Sequence, residues 1–68
     1  MPRERDSVAK MVRDLRAKLG LTQEQFAAEV GVTWSTVSRW ENARGKPSPL
    51  ALRQVTELAN RHSGDRKN

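Results

Sequence analysis

The sequence predicts an all-α fold, a compact bundle of four helices, on three observations. Apolar residues recur at helical spacing in four separate stretches. Each stretch opens on a Ser, Thr or Asp suited to capping, and three of them close at a glycine (Gly20, Gly31 and Gly64). No run alternates with the period of two that a strand requires. At 68 residues the chain holds one domain, 1–68, with no repeat and no low-complexity tract.

Helix 1 is expected over about 6–19. Val8, Met11, Val12, Leu15 and Leu19 recur at helical spacing, Asp6 or Ser7 caps the start, and Gly20 ends it. Leu21 follows as an apolar anchor. Helix 2, about 23–30, opens on a capping box: the Thr22 hydroxyl accepts from the Gln25 N–H, and the Gln25 side chain reaches back. Phe26, Ala27 and Val30 form its apolar face, and Gly31 stops it by taking the positive φ of a tight terminus. Val32 is expected to be buried in the turn, and Thr33 is the next N-cap.

Helix 3, about 34–42, has only Val37 and Trp40 as clear inward positions, three residues apart on one face. Trp40 is expected to pack on helix 1. The rest of the helix carries Trp34, Ser35, Thr36, Ser38 and Arg39. So thin an apolar stripe contributes little to a core, and its opposite face is free to meet something outside. Residues 42–47 form a basic loop marked by Gly45 and Pro47. Ser48 caps helix 4, about 49–61, with Pro49 at the first helical position. Leu52, Val55, Leu58 and Ala59 give its core face, His62 to Gly64 end it, and 63–68 are expected to be a disordered tail.

Composition narrows the function. Thirteen Lys and Arg against eight Asp and Glu leave a net +5, which favours an anionic partner, nucleic acid first, although a solvated surface alone can carry such a charge. The absence of Cys and the single His exclude a disulfide framework and a Cys/His zinc site, and fit a cytosolic protein. There is no 18-residue apolar stretch and no signal-peptide core, so a soluble, cytoplasmic chain with no membrane association is expected. Acidic residues interleave the basic ones of helix 1, which argues against a helix lying on a membrane. No nucleophile–base pair, paired acids or phosphate-cradling glycine loop is recognisable, so the chain is not expected to be an enzyme, and no cofactor, metal or small-molecule ligand is expected.

Two short helices joined by Gly31-Val32-Thr33 match a helix-turn-helix. A short turn with a glycine sets two helices at a steep angle, so that the second projects while the first braces it. Small Ala27 permits close approach, and Val32 and Val37 seal the joint. The run Leu19-Gly20-Leu21-Thr22-Gln23-Glu24-Gln25-Phe26-Ala27, then Gly31-Val32, Thr36-Val37-Ser38-Arg39-Trp40-Glu41-Asn42 and Pro47-Ser48, resembles the Cro/phage-repressor (XRE-type) helix-turn-helix family. The likeness covers roughly 12–59. It implies a lambda-repressor-like, double-stranded DNA-binding domain.

The resemblance also implies roles. Gln23 matches a residue that binds phosphate and buttresses base contacts, and its place at a helix N-terminus suits an anion. Thr33, Trp34, Ser35, Thr36, Ser38 and Arg39 fall where helix 3 meets base edges and flanking phosphates. Asn42, Arg44 and Lys46 fall on a loop that grips the DNA backbone. Arg16 and Glu41 match a structural salt bridge between helix 1 and the end of helix 3. Three features depart from the family. Ala43 stands where Gly is common, so Asn42 or Gly45 is expected to supply the left-handed residue that ends helix 3. Trp34 is unusually large; exposed at the tip of helix 3, it is suited to packing on a thymine methyl or on deoxyribose, to folding back against helix 2, or to marking a protein interface. A fifth helix, which completes the core and the dimer in many members, is not expected.

Arg39 is the foremost candidate for reading a base, since an arginine on guanine O6 and N7 is the commonest specific contact. From Val32 to Gln54 the local charge is +3, from Arg39, Arg44, Lys46 and Arg53 against Glu41. The sequence therefore points to a transcriptional regulator, repressor or antitoxin-like, with helix 3 in the major groove. A protein-interaction or adaptor module on the same scaffold, docking through Trp34, is the alternative. A weak homodimer on DNA is left open, with Val8, Met11 and the surface of helix 4 as its only seam. His62 is assigned no role.

Overall fold

The computed structural model describes residues 3–65, and the side chains of residues 3–62. Four helices follow in chain order: α1 (Glu4–Leu19), α2 (Gln23–Val30), α3 (Trp34–Glu41) and α4 (Pro49–Asp65). The fold class is all-α, and no strand occurs among the described residues. Among them, too, no helix is long and apolar enough to cross a membrane.

The starts of the helices are set by side chains within three residues. Thr22 and Gln25 form the expected reciprocal box, with Gln25 N–H donating to Thr22 Oγ1 at 3.1 Å and Thr22 N–H to Gln25 Oε1 at 2.9 Å. Thr33 accepts from the Thr36 N–H at 3.2 Å, and Ser48 from the Ala51 N–H at 3.2 Å, just ahead of Pro49. Helix 1 corrects the reading. It starts at Glu4 with Arg3 as N-cap, so neither Asp6 nor Ser7 is the cap. Asp6 instead sits in the first turn and accepts from the Arg3 N–H at 3.4 Å. The carboxylate thus serves the helix start from inside it, next to the positive end of the helix dipole.

The core is built from single stripes of each helix. Val12, Phe26, Val37, Val55 and Leu58 are almost wholly buried, with Ala9, Ala27, Val30 and Trp40 beside them. Val8, Leu15, Leu19, Leu21, Val32 and Ala51 pack against this cluster from its edge. Two residues expected inside are not. Met11 is 36% exposed and Leu52 43% exposed, each on the flank of its stripe; the lines that turn inward run through Val8, Val12, Leu15 and Leu19 and through Ala51, Val55 and Leu58. Helix α3 packs on both α1 and α2, and α2 also on α4. Burying Val37 and Trp40 thereby holds α3 against both neighbours.

Helix ends carry the other corrections. Gly31 takes φ 88° and turns the chain between α2 and α3, as expected. At the end of α3 the left-handed residue is neither Asn42 nor Gly45. It is Ala43 itself, at φ 58°. The pattern is a full Schellman motif: the Arg44 N–H donates to Arg39 O at 2.8 Å and the Ala43 N–H to Trp40 O at 3.1 Å. Two backbone bonds thus hold an alanine where glycine is usual. Helix α4 continues through Ser63 and Gly64 to Asp65 rather than ending there; a glycine stops a helix only where it takes the left-handed conformation, and otherwise it is carried as an ordinary helical residue at a small entropic cost. The tail was expected to be disordered from 63; residues 66–68 lie outside the described residues.

A left-handed conformation costs an L-residue roughly 1–2 kcal/mol, while glycine adds about 0.5–1 kcal/mol of unfolded-state entropy to be lost. Ala43→Gly is therefore expected to stabilise the domain by about 0.5–1 kcal/mol. Urea denaturation checks this, and an unchanged or lower midpoint contradicts it.

Candidate nucleic-acid interface

The site is organised by a carboxylate that has left water. Glu41, the last residue of α3, is 5% exposed. A buried carboxylate persists only if it is paired and its oxygens are satisfied. Arg16 of α1 meets it as a fork, Nε on Oε2 at 2.7 Å and an Nη on Oε1 at 3.1 Å. The remaining Nη of Arg16 donates to the Leu21 carbonyl at 3.1 Å, which ties the start of α2 into the same node. Arg13, one turn earlier on α1, donates to the Glu41 carbonyl at 2.9 Å. Burial pushes the Glu41 carboxyl up, but hydrogen bonds from Arg16 and Gln23 and the charges of Arg16 and Arg13 outweigh it and hold it below the ordinary carboxylate range. The same hydrogen bond to Glu41 raises Arg16 against the opposing effect of its burial.

Gln23, the first residue of α2, extends this node to the surface. Its Nε2 donates to Glu41 Oε1 at 3.0 Å, and its Oε1 accepts from the Trp34 Nε1–H at 2.9 Å. Indole only donates and a carboxylate only accepts, so the amide between them has one orientation that serves both. The chain Arg16, Glu41, Gln23, Trp34 thus runs from α1 to the exposed start of α3. No buried side-chain nitrogen or oxygen among the described residues lacks a partner.

The outward residues fall into two groups. Thr33, Trp34, Ser35 and Thr36 form the leading end of α3, with Ser38 and Arg39 behind them. Trp34, Ser35 and Arg39 are exposed, and Thr36 and Ser38 half-buried. The Thr33 hydroxyl is occupied by its cap and by Thr36 Oγ1 at 2.9 Å and Ser35 Oγ at 3.2 Å. Asn42 folds back on its own helix, donating to the Ser38 carbonyl at 2.8 Å. Arg39 lies over the loop, its guanidinium 3.7 Å from where a Cβ on Gly45 would stand. Neither Arg39 nor Arg44 has a carboxylate partner among the described residues.

The basic loop is less positive in space than along the chain. Lys46 meets Glu4 of α1 at 2.7 Å, and Arg53 lies 3.7 Å from Glu57. Both pairs are exposed and therefore weak, so they leave the lysine and arginine available to a stronger anion. Sequence reasoning found the Arg16–Glu41 pair through the family likeness but missed Arg13, although Arg13 and Arg16 are three apart on one helix face. It also missed Glu4 against Lys46, and it offered helix 2 as a place for Trp34 without naming Gln23 as the partner; no local signal exists for either pairing.

Comparison with known proteins agrees with this architecture. A model of the helix-turn-helix family matches residues 12–63. An uncharacterized HTH-type transcriptional regulator of Methanothermobacter thermautotrophicus is 37% identical over 51 residues, covering 75% of this chain and 74% of that protein. The chain belongs to the XRE-type helix-turn-helix family.

The depressed Glu41 sets a pH dependence. Its ionised form is favoured in the folded state, so its contribution is full above the ordinary value of about 4.3 and is lost as pH falls through the lower folded value. Thermal melts of the native chain are expected to lose stability on acidification from about pH 4.5 downwards, and Glu41→Gln to flatten that limb. An unchanged limb in the variant contradicts the assignment. Arg16→Met, which strands the carboxylate, is expected to cost about 3–5 kcal/mol at neutral pH by the same melts.

Proposed function

We propose that this chain is a sequence-specific, double-stranded DNA-binding transcriptional regulator, repressor or antitoxin-like, that lays α3 in the major groove. The observation that carries the reading is the division of α3. Val37, Trp40 and Glu41 are spent inside, and every other position of the helix is polar, aromatic or cationic, with Trp34, Ser35 and Arg39 exposed and Thr36 and Ser38 half-buried. Membership of the helix-turn-helix family supports DNA as the partner.

In this reading Arg39 contacts a base edge, assisted by Ser35, Thr36 and Ser38, whose small size lets the helix sit deep. Arg44, Lys46, Asn42 and Thr33 hold flanking phosphates and set the register. For Lys46 this means exchanging Glu4 for a phosphate, and for Asn42 releasing the Ser38 carbonyl. Gln23 stands at the N-terminus of α2, where backbone N–H groups favour an anion, and its second amide hydrogen is free for a phosphate. No cofactor is required. Two copies on a palindrome with half-sites one turn, about 34–36 Å, apart would raise the affinity of so small an interface. Val8 packs against the core, so Met11, Leu50 and Leu52 are the exposed apolar side chains left for a seam.

The two cationic phosphate contacts, from Arg44 and Lys46, give an expected slope of roughly −2 for log K against log salt concentration. A flat plot would sink the DNA reading. Arg39→Ala is expected to lose about 10- to 100-fold in preference for the selected site over random DNA, with the fold intact by circular dichroism. A variant that keeps full preference would instead point to the adaptor alternative and a protein partner for this face.

A further inference from the structure

Trp34 is the one large apolar side chain on the outward face of α3. It is 51% exposed, while the other exposed large apolar residues sit on α1 (Met11) and α4 (Leu50 and Leu52). Its surroundings are polar: Thr33, Ser35, Thr36 and Gln23. A protein-docking patch sets its aromatic anchor in a core richer in apolar groups than the surrounding surface, and no other large apolar side chain is exposed on this face.

Its single polar atom is already used. The indole N–H donates to Gln23 Oε1 at 2.9 Å, and Gln23 is held in turn by Glu41 at 3.0 Å. The ring is therefore oriented before any partner arrives, and only carbon edges and faces remain on offer. A base-edge or phosphate hydrogen bond would require breaking the link to Gln23. The floor of the major groove presents one apolar group to such a surface, the C5-methyl of thymine, and 5-methylcytosine presents the same group in the same place.

We infer that Trp34 is a specificity-determining residue that recognises the C5-methyl of a pyrimidine in the major groove, with Gln23 as the positioning residue that fixes its ring. This rests on the DNA-binding reading above, and on the N-terminal end of α3 being the part of the helix that approaches base edges. Burying one methyl group corresponds to about a fourfold effect on affinity, more where the fit is close, so the expected discrimination is roughly three- to tenfold.

The test begins with a duplex selected by the full chain from random DNA. Each thymine is replaced singly by deoxyuridine, and each cytosine singly by 5-methylcytosine, with Kd read by gel shift. A three- to tenfold loss at one deoxyuridine identifies thymine as the source of the methyl, and a comparable gain at one 5-methylcytosine identifies the methylated base. In either case Trp34→Ala is expected to erase the difference between the methylated and unmethylated duplexes. Trp34→Phe, which keeps an aromatic ring without the N–H, should retain part of it, and Gln23→Ala should reduce it. Equal losses by Trp34→Ala on both duplexes would overturn the inference in favour of a sugar contact. So would unchanged binding by Trp34→Ala, or a wild-type chain indifferent to every methyl. A chain that selects no DNA sequence at all defeats the DNA-binding reading itself, which is a different result from either.

Discussion

One carboxylate sits where a hydrophobic side chain would have been simpler. Glu41 closes α3 and is buried against α1, and its burial is tolerable only because four donors on three residues converge on that residue. Apolar packing holds helices together without fixing their angles closely, whereas a forked arginine on a carboxylate has a narrow geometry. Arg16 and Arg13 thus set α3 relative to α1, and Gln23 sets it relative to α2. The position of the outward face of α3 depends on this node more than on Val37 and Trp40, which would accept small rotations.

The same node explains why so little of α3 is apolar. A helix fastened at its far end by ionic bonds and in its middle by Val37 and Trp40 needs no wider stripe, and its remaining positions are released from the core. The cost falls elsewhere. Ala43 adopts a glycine conformation to launch the loop, and Asn42, on the surface, folds back to cover the carbonyl of Ser38. The loop is steadied at its far side by Lys46 against Glu4, a contact weak enough to be exchanged.

What could be read beforehand follows from range. Helix starts at Thr22, Thr33 and Ser48 were legible because a cap and its N–H lie within three residues. The inward faces of α2 and α3 were legible from periodicity. Met11 and Leu52 show its limit, since a stripe's edge residues are assigned by the neighbouring helix and not by spacing. At Ala43 a sound local preference for glycine gave the wrong residue, because the two Schellman bonds and the packing of Trp40 decide which residue turns. The site divides in the same way. That positions 34, 35, 36 and 39 face outward followed by subtraction from the core. That Trp34 is bound to Gln23, and Lys46 to Glu4, did not, for these partners are 11 and 42 residues apart.

The chain has two tryptophans and no tyrosine, and the fold gives the two opposite surroundings. Trp40 is buried in the apolar core, while Trp34 is half in water beside a polar amide. Their emission is therefore separable by colour and by access to a dissolved quencher. Trp40 reports whether the bundle is assembled, and Trp34 reports what lies against the outward face of α3. A single unlabelled sample thus carries one reporter of folding and another of docking.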